Sequence, residues 1–183
     1  LEGSVGKVTL ITRPRRWGKT MNMDMLQRFL AIEVDEQGNS LPREQCLNHK
    51  LFAGGEVTLD FGDTKLLKPL KITNYPALMK RQGQYPVISL GFKDVTGESY
   101  REIEEAIKMQ LTDLYREHSY LEQHIHATSG SVKQSYQEKL QRYLTGKFGE
   151  QDARKSLRFL SELLSKHFGQ NVYILVDEYD TPI

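Results

Sequence analysis

The chain opens on alternation between short apolar blocks and longer amphipathic stretches. Residues 7–12 (Lys-Val-Thr-Leu-Ile-Thr) are β-branched and apolar and predict a buried strand. From Thr20, residues Met21, Met25, Leu26, Phe29 and Leu30 recur at helical spacing, which predicts a helix ending near Glu33 with those five on one apolar face. Residues 34–85 break this regularity. Gly38-Asn39-Ser40 and Gly54-Gly55 signal turns, and Pro42, Pro69 and Pro76 interrupt any long element. A short helix over 42–49 and a strand pair over 57–61 and 67–72 fit what remains, so the stretch reads as an insertion beside the core. Residues 85–92 predict a second buried strand, with Pro86 near its start, where a missing ladder donor is tolerated.

The second half is mostly helical in pattern. Ile103, Ala106, Ile107, Leu111 and Leu114 mark a helix over 98–120, and Val132, Tyr136, Leu140, Tyr143 and Leu144 mark one over 132–145, stopped at Gly146. Leu157, Leu160, Leu163 and Leu164 give a third over 152–167, ended by Gly169. The run Val172-Tyr173-Ile174-Leu175-Val176 is continuously apolar, the mark of a strand covered on both faces. The order strand, helix, strand, helices, strand predicts an α/β domain with a parallel sheet and right-handed crossovers.

Composition narrows the function classes. With 25 Lys and Arg against 24 Asp and Glu, the net charge of +1 argues against a broad basic footprint for nucleic acid. No apolar run approaches the roughly 20 residues of a membrane-spanning helix. A single cysteine, Cys46, allows no internal disulfide and fits a reducing, cytoplasmic setting. The 183 residues suit one domain, and both ends read as cut from a longer protein.

Gly18-Lys19-Thr20 carries the chemistry. It lies between a predicted strand and a predicted helix, the setting of a phosphate-binding loop. A helix N-terminus offers unpaired N–H groups and a favourable dipole, and Gly18 lets the backbone approach a phosphate. Lys19 can reach the β- and γ-phosphates, and the Thr20 hydroxyl can ligate Mg²⁺. Arg13 stands where the first glycine of the motif belongs, and Pro14 removes a backbone donor. Arg13, Arg15 and Arg16 either bind phosphate oxygens in its place or are solvated. Trp17 either stacks on a base or packs on the helix, the second being favoured. Met21 closes the candidate nucleotide-binding set (Arg13, Arg15, Arg16, Trp17, Gly18, Lys19, Thr20, Met21), although Met21, Met23 and Met25 read first as core. The apolar run at 172–176 ends in Asp177-Glu178. In a parallel sheet ligands bind at the carboxyl ends of the strands, so Asp177 can hold a metal and Glu178 can activate water there.

Asp180 reads as a turn cap before Thr181-Pro182. His118, His124 and His126 lie near one another, but no acid or cysteine completes a zinc set at ligand spacing. Cys46 reads as a small space-filler.

Thr12 to Thr20 (T-R-P-R-R-W-G-K-T), Tyr85-Pro86-Val87-Ile88 with Phe92-Lys93-Asp94, and Val176 to Ile183 (V-D-E-Y-D-T-P-I) resemble the bacterial AAA-ATPase-like family, P-loop ATPases of the additional-strand, catalytic-glutamate type. The resemblance runs the length of the chain. In that family the first glycine of the loop is commonly absent, so Arg13 is no departure, whereas residues 57–82 are longer than expected. The resemblance implies a P-loop fold with a parallel sheet flanked by helices, truncated after the Walker B strand, with residues 34–84 an insertion and the rest of the ATPase core outside residues 1–183. It implies ATP and Mg²⁺ as cofactors, with Lys19 as the Walker A lysine, Thr20 and Asp177 as metal ligands and Glu178 as the catalytic glutamate. Another strand, carrying a polar sensor residue, would separate the P-loop strand from the Walker B strand and lie beyond Ile183, leaving a gap in this sheet. Family members often carry a C-terminal PD-(D/E)XK nuclease-like domain, through which nucleic acid would be reached, and AAA-like ATPases frequently form rings, which implies a homo-oligomer. The expected function is Mg-dependent ATP hydrolysis. The alternative is a nucleotide-dependent switch that steers an attached nuclease-like domain and hydrolyses little.

Overall fold

In the computed structural model, residues 8–12, 18–58, 62–125 and 131–179 are described, those at 131 and 132 by backbone alone. The elements in order are α1 (Lys19–Leu30), α2 (Leu47–Ala53), β1 (Gly55–Thr58), β2 (Thr64–Leu67), a 3₁₀ turn (Lys71–Asn74), α3 (Pro76–Met79), β3 (Val87–Gly91), α4 (Tyr100–Glu117), α5 (Leu121–His124), α6 (Ser131–Leu144), α7 (Glu150–Phe168) and β4 (Tyr173–Asp177). The chain is thus mixed α/β. β3 and β4 pair in parallel with Val87 opposite Tyr173 and Gly91 opposite Asp177. The helical connection between them has the βαβ form that parallel pairing requires.

β3 is covered on both faces because its side chains alternate. Ile88 and Leu90 enter a core built by α4, α5, α6 and α7, while Val87 enters a second core with Phe29, Leu30, Phe52 and Leu175. Helices therefore flank the pair of strands on two sides. The larger core centres on Tyr115 and Tyr143, stacked with ring centroids 4.3 Å apart. Their hydroxyls donate to the carbonyls of Ser156 (2.8 Å) and Asp152 (2.7 Å), so both phenols are buried with their polar ends paired. Ser99 caps α4 by accepting from the Glu102 N–H, and the Glu102 carboxylate returns to the Glu98 N–H. Gly169 ends α7 in the left-handed conformation at φ 64°, as its position after the last apolar residue predicts.

Four sequence expectations change. Residues 8–12 form no strand, and Val8, Leu10 and Ile11 are 93%, 65% and 61% exposed. A strand is made by its ladder, and no neighbour among the described residues supplies one. β4 is not covered on both faces: Leu175 is buried, but Ile174 is 45% exposed, because β3 is its one partner among the described strands. The parallel sheet accordingly has two strands among the described residues. On α1, Phe29 and Leu30 are buried and Met23 packs beside them, but Met21, Met25 and Leu26 are exposed, since two strands about 5 Å apart offer too narrow a face to cover the whole stripe. Within residues 34–84 the expected short helix and strand pair are present but displaced, as α2 and the antiparallel β1–β2 hairpin, and α3 follows them. Phe52 of α2 meets Phe29 edge to face at 5.1 Å, which ties this segment to α1.

At the end of α4, His118 is held neutral by burial, which pushes its pKa down to about 4 from an ordinary 6.5, and its Nδ1 meets the Tyr120 hydroxyl at 3.0 Å. A histidine whose folded value is depressed lends full stability above pH 6.5 and loses it as pH falls toward 4. Urea unfolding at pH 7 and pH 4 should differ by about 3 kcal/mol from this group, and His118→Phe should flatten that part of the profile.

Candidate functional site

α1 begins where a phosphate loop would place it. Gly18 is its N-cap in the left-handed conformation (φ 69°), and its carbonyl accepts from the Asn22 N–H and from Asn22 Nδ2, both at 2.9 Å. Among the described residues, a Cβ at Gly18 would find only Asn22 Nδ2 nearby, at 3.8 Å. The first turn holds no acidic residue to offset the positive end of the helix dipole. Lys19 is half-buried and Thr20 exposed, and neither side chain has a partner among the described residues. Met21 is 77% exposed. Arg13, Arg15, Arg16 and Trp17, and likewise Asp180, lie outside the described residues.

The other end of α1 is fastened. Tyr85 N–H donates to the Leu30 carbonyl (3.0 Å), Ile32 N–H to the Tyr85 carbonyl (3.0 Å), and Gly83 N–H to the Phe29 carbonyl (2.9 Å). The C-terminal end of α1 is thereby held to the chain that enters β3, and Phe29 and Leu30 pack with Val87 and Leu175.

Asp177 is the last residue of β4, opposite Gly91. Its carbonyl accepts from the Phe92 N–H (3.0 Å), and its Oδ1 accepts from the Glu178 N–H (3.0 Å), leaving Oδ2 without a described partner. Glu178 is exposed and adopts φ 53°, the one positive φ at a non-glycine among the described residues. Such a conformation costs an L-residue about 1–2 kcal/mol, and strained residues gather at functional sites. Beside this tip, Gln110 of α4 donates to the Gly91 carbonyl at 2.5 Å while its Oε1 is buried with no partner among the described residues. Sequence reading passed over Gln110. The signal was present, because it falls at helical spacing between Ile107 and Leu114 and so puts a polar group on an apolar stripe.

Of the three histidines weighed as a metal set, His118 meets the Tyr120 hydroxyl, His124 addresses the Gln37 carbonyl, and His126 lies outside the described residues. Cys46 is half-buried with its thiol directed at the carbonyls of Leu41 and Pro42, and burial and the Glu33 carboxylate push its pKa up, so the thiol is unreactive. No helix among the described residues is long and apolar enough to cross a membrane.

An α/β chain with a glycine-capped helix N-terminus and an acid pair at a parallel strand tip has the parts of a nucleotide-binding domain. Residues 59–183 match the family model described as predicted AAA-ATPase, and the chain belongs to that AAA-ATPase-like family. The matched span includes Asp177 and Glu178, whereas Gly18, Lys19 and Thr20 precede it. No curated protein matches the chain, and no solved structure does.

If Glu178 is strained for function, relieving the strain should trade activity for stability. Glu178→Gly should raise the free energy of unfolding by about 1 kcal/mol in chemical denaturation, while Glu178→Ala, which keeps a Cβ, should not.

Proposed function

We propose that residues 18–20 and 177–178 bind Mg-ATP together and that the protein hydrolyses it. One observation carries this reading: the C-terminal end of α1 is bonded to residues 83–85, at the entrance to β3, while its last turn packs on β3 and β4. Twelve helical residues extend about 18 Å and five strand residues about 17 Å. A helix running back along the strands from that anchor brings Gly18 and Lys19 to the level of Gly91 and Asp177, the carboxyl edge at which open parallel sheets bind ligands.

The residues fit the ligand. The glycine-capped N-terminus of α1 suits the phosphates, with Lys19 supplying a charge-assisted contact to the β- and γ-oxygens. In this reading Arg13, Arg15 and Arg16 supply phosphate donors in place of the missing loop glycine, and Trp17 and Met21 complete the nucleotide-binding set. Thr20 Oγ1 and the free Asp177 Oδ2 are the oxygen donors for Mg²⁺, which when bound supplies neutralising charge to the triphosphate. Glu178, set off the strand axis by its left-handed backbone, orients a water and takes its proton as the water oxygen bonds to the γ-phosphorus. The bond to the bridging oxygen breaks, and ADP and phosphate leave.

Calorimetric titration of Mg-ATP into the protein and its Lys19→Ala variant tests the binding half. The variant should bind more weakly by about 1.5–3 kcal/mol, and equal binding would overturn the assignment of Lys19. Glu178→Gln should bind as the parent does and turn over about 10²–10⁴ times more slowly, whereas parental turnover would leave Glu178 without a catalytic role.

A further inference from the structure

Residues 35–39, just after α1, are clamped between helices of the other layer. Asp35 folds the segment on itself: its carboxylate accepts from the Gln37 N–H, the Asn39 N–H and Asn39 Nδ2, and its carbonyl accepts from the Gly38 N–H. Two consecutive carbonyls then point outward to two imidazoles. His124 Nε2 of α5 donates to the Gln37 carbonyl (2.9 Å), and His167 Nε2 of α7 donates to the Gly38 carbonyl (2.8 Å). Gly38 is buried against Tyr120 so closely that a Cβ there would lie 2.3 Å from the ring. The sequence separation, 87 and 129 residues, makes these long-range contacts and not local turn chemistry.

The two rings are themselves in contact, with centroids 4.1 Å apart. Both can be neutral and still donate from Nε2, but both cannot be cationic without placing like charges in contact. The charged and titratable groups around them offer no compensation among the described residues, outside which His126 lies. The Asp35 carboxylate is spent on its own turn, and Glu36 is exposed. On α5, Glu122 is bonded to Gln141, and on α7 Lys166 turns to Glu162 and Tyr136. His118, at the end of α4, is buried on the Tyr120 hydroxyl. The influences on His167 are burial, the Gly38 carbonyl and His124, with no carboxylate among them, and burial, the largest, lowers its pKa.

We propose that residues 35–39 with His124 and His167 form a latch that fastens the chain leaving α1 to α5 and α7, and that acidification opens it. Docked, two protonated rings would place like charges in contact; undocked, they would not. For two imidazoles of ordinary value 6.5, lowering pH from 7.5 to 5.0 favours the open state by roughly 20-fold. The latch joins the helix after the candidate phosphate loop to the helix before β4, yet it requires no nucleotide, so it stands or falls apart from the ATPase reading.

NMR of the nucleotide-free protein tests it. Gly38 lies against the Tyr120 ring, and its ring-current-shifted Hα resonance reports docking. The open-to-closed ratio from this signal should rise about 20-fold between pH 7.5 and 5.0 while Tyr143 resonances keep their folded positions. His167→Gln keeps a neutral donor for the Gly38 carbonyl and should reduce that rise to less than twofold, with His124→Gln behaving alike as the second variant. A ratio independent of pH in the parent, an equal rise in both Gln variants, or loss of the Gly38 and Tyr143 signals together would overturn the proposal.

Discussion

The anchoring of α1 at its C-terminal end is the constraint on which the rest depends. Three backbone hydrogen bonds join Phe29, Leu30 and Ile32 to residues 83–85, and Phe29 and Leu30 sink between Phe52, Val87 and Leu175. Backbone bonds fix position where side-chain packing alone would permit sliding. Because a helix is stiff over twelve residues, fixing one end sets where the other can point. The exposed Met21, Met25 and Leu26 show that the front half of α1 is not held by burial. Its direction comes from the anchor, and with it the direction of the N-terminus that Gly18 caps.

Much of this was legible in the sequence, and the pattern of success follows the physics of each element. The long helices α4, α6 and α7 lie within three residues of their expected spans because each carries its own apolar stripe, and α6 and α7 also carry their own stops, Gly146 and Gly169. β3 and β4 were equally visible as runs of apolar, β-branched residues. Residues 8–12 are richer in β-branched residues than β3 and form no strand, since composition gives a preference and a neighbouring strand gives the ladder. The hairpin of β1 and β2 was expected a few residues too late, because turn glycines such as Gly62 (φ 83°) lie among residues with no clean alternation.

At the candidate site, the residue types were legible and their conformations were not. Gly18-Lys19-Thr20 and Asp177-Glu178 announce their chemistry by order and spacing. The left-handed backbone of Glu178 has no sequence signature, because any L-residue pays for it and only the surrounding structure can enforce it. Gln110 and the His124–His167 pair belong to the same class of feature. Each acts on a carbonyl between 19 and 129 residues away, and no local pattern specifies such a partner.

These long-range polar contacts share a mechanical consequence. The segment after α1 is bonded to α5 and α7, the C-terminal end of α1 to the entrance of β3, and α4 through Gln110 to the exit of β3. The helical layer therefore bonds directionally to the chain leaving α1 and to the exit of β3, while the apolar cores on the two faces of β3 share that strand. Apolar packing resists compression but transmits orientation poorly, whereas a hydrogen bond is lost within a fraction of an ångström and a few tens of degrees. The chain leaving α1 is thus joined to α5 by the discrete bond at Gln37 and to α7, the helix that leads into the strand ending in Asp177, by the one at Gly38.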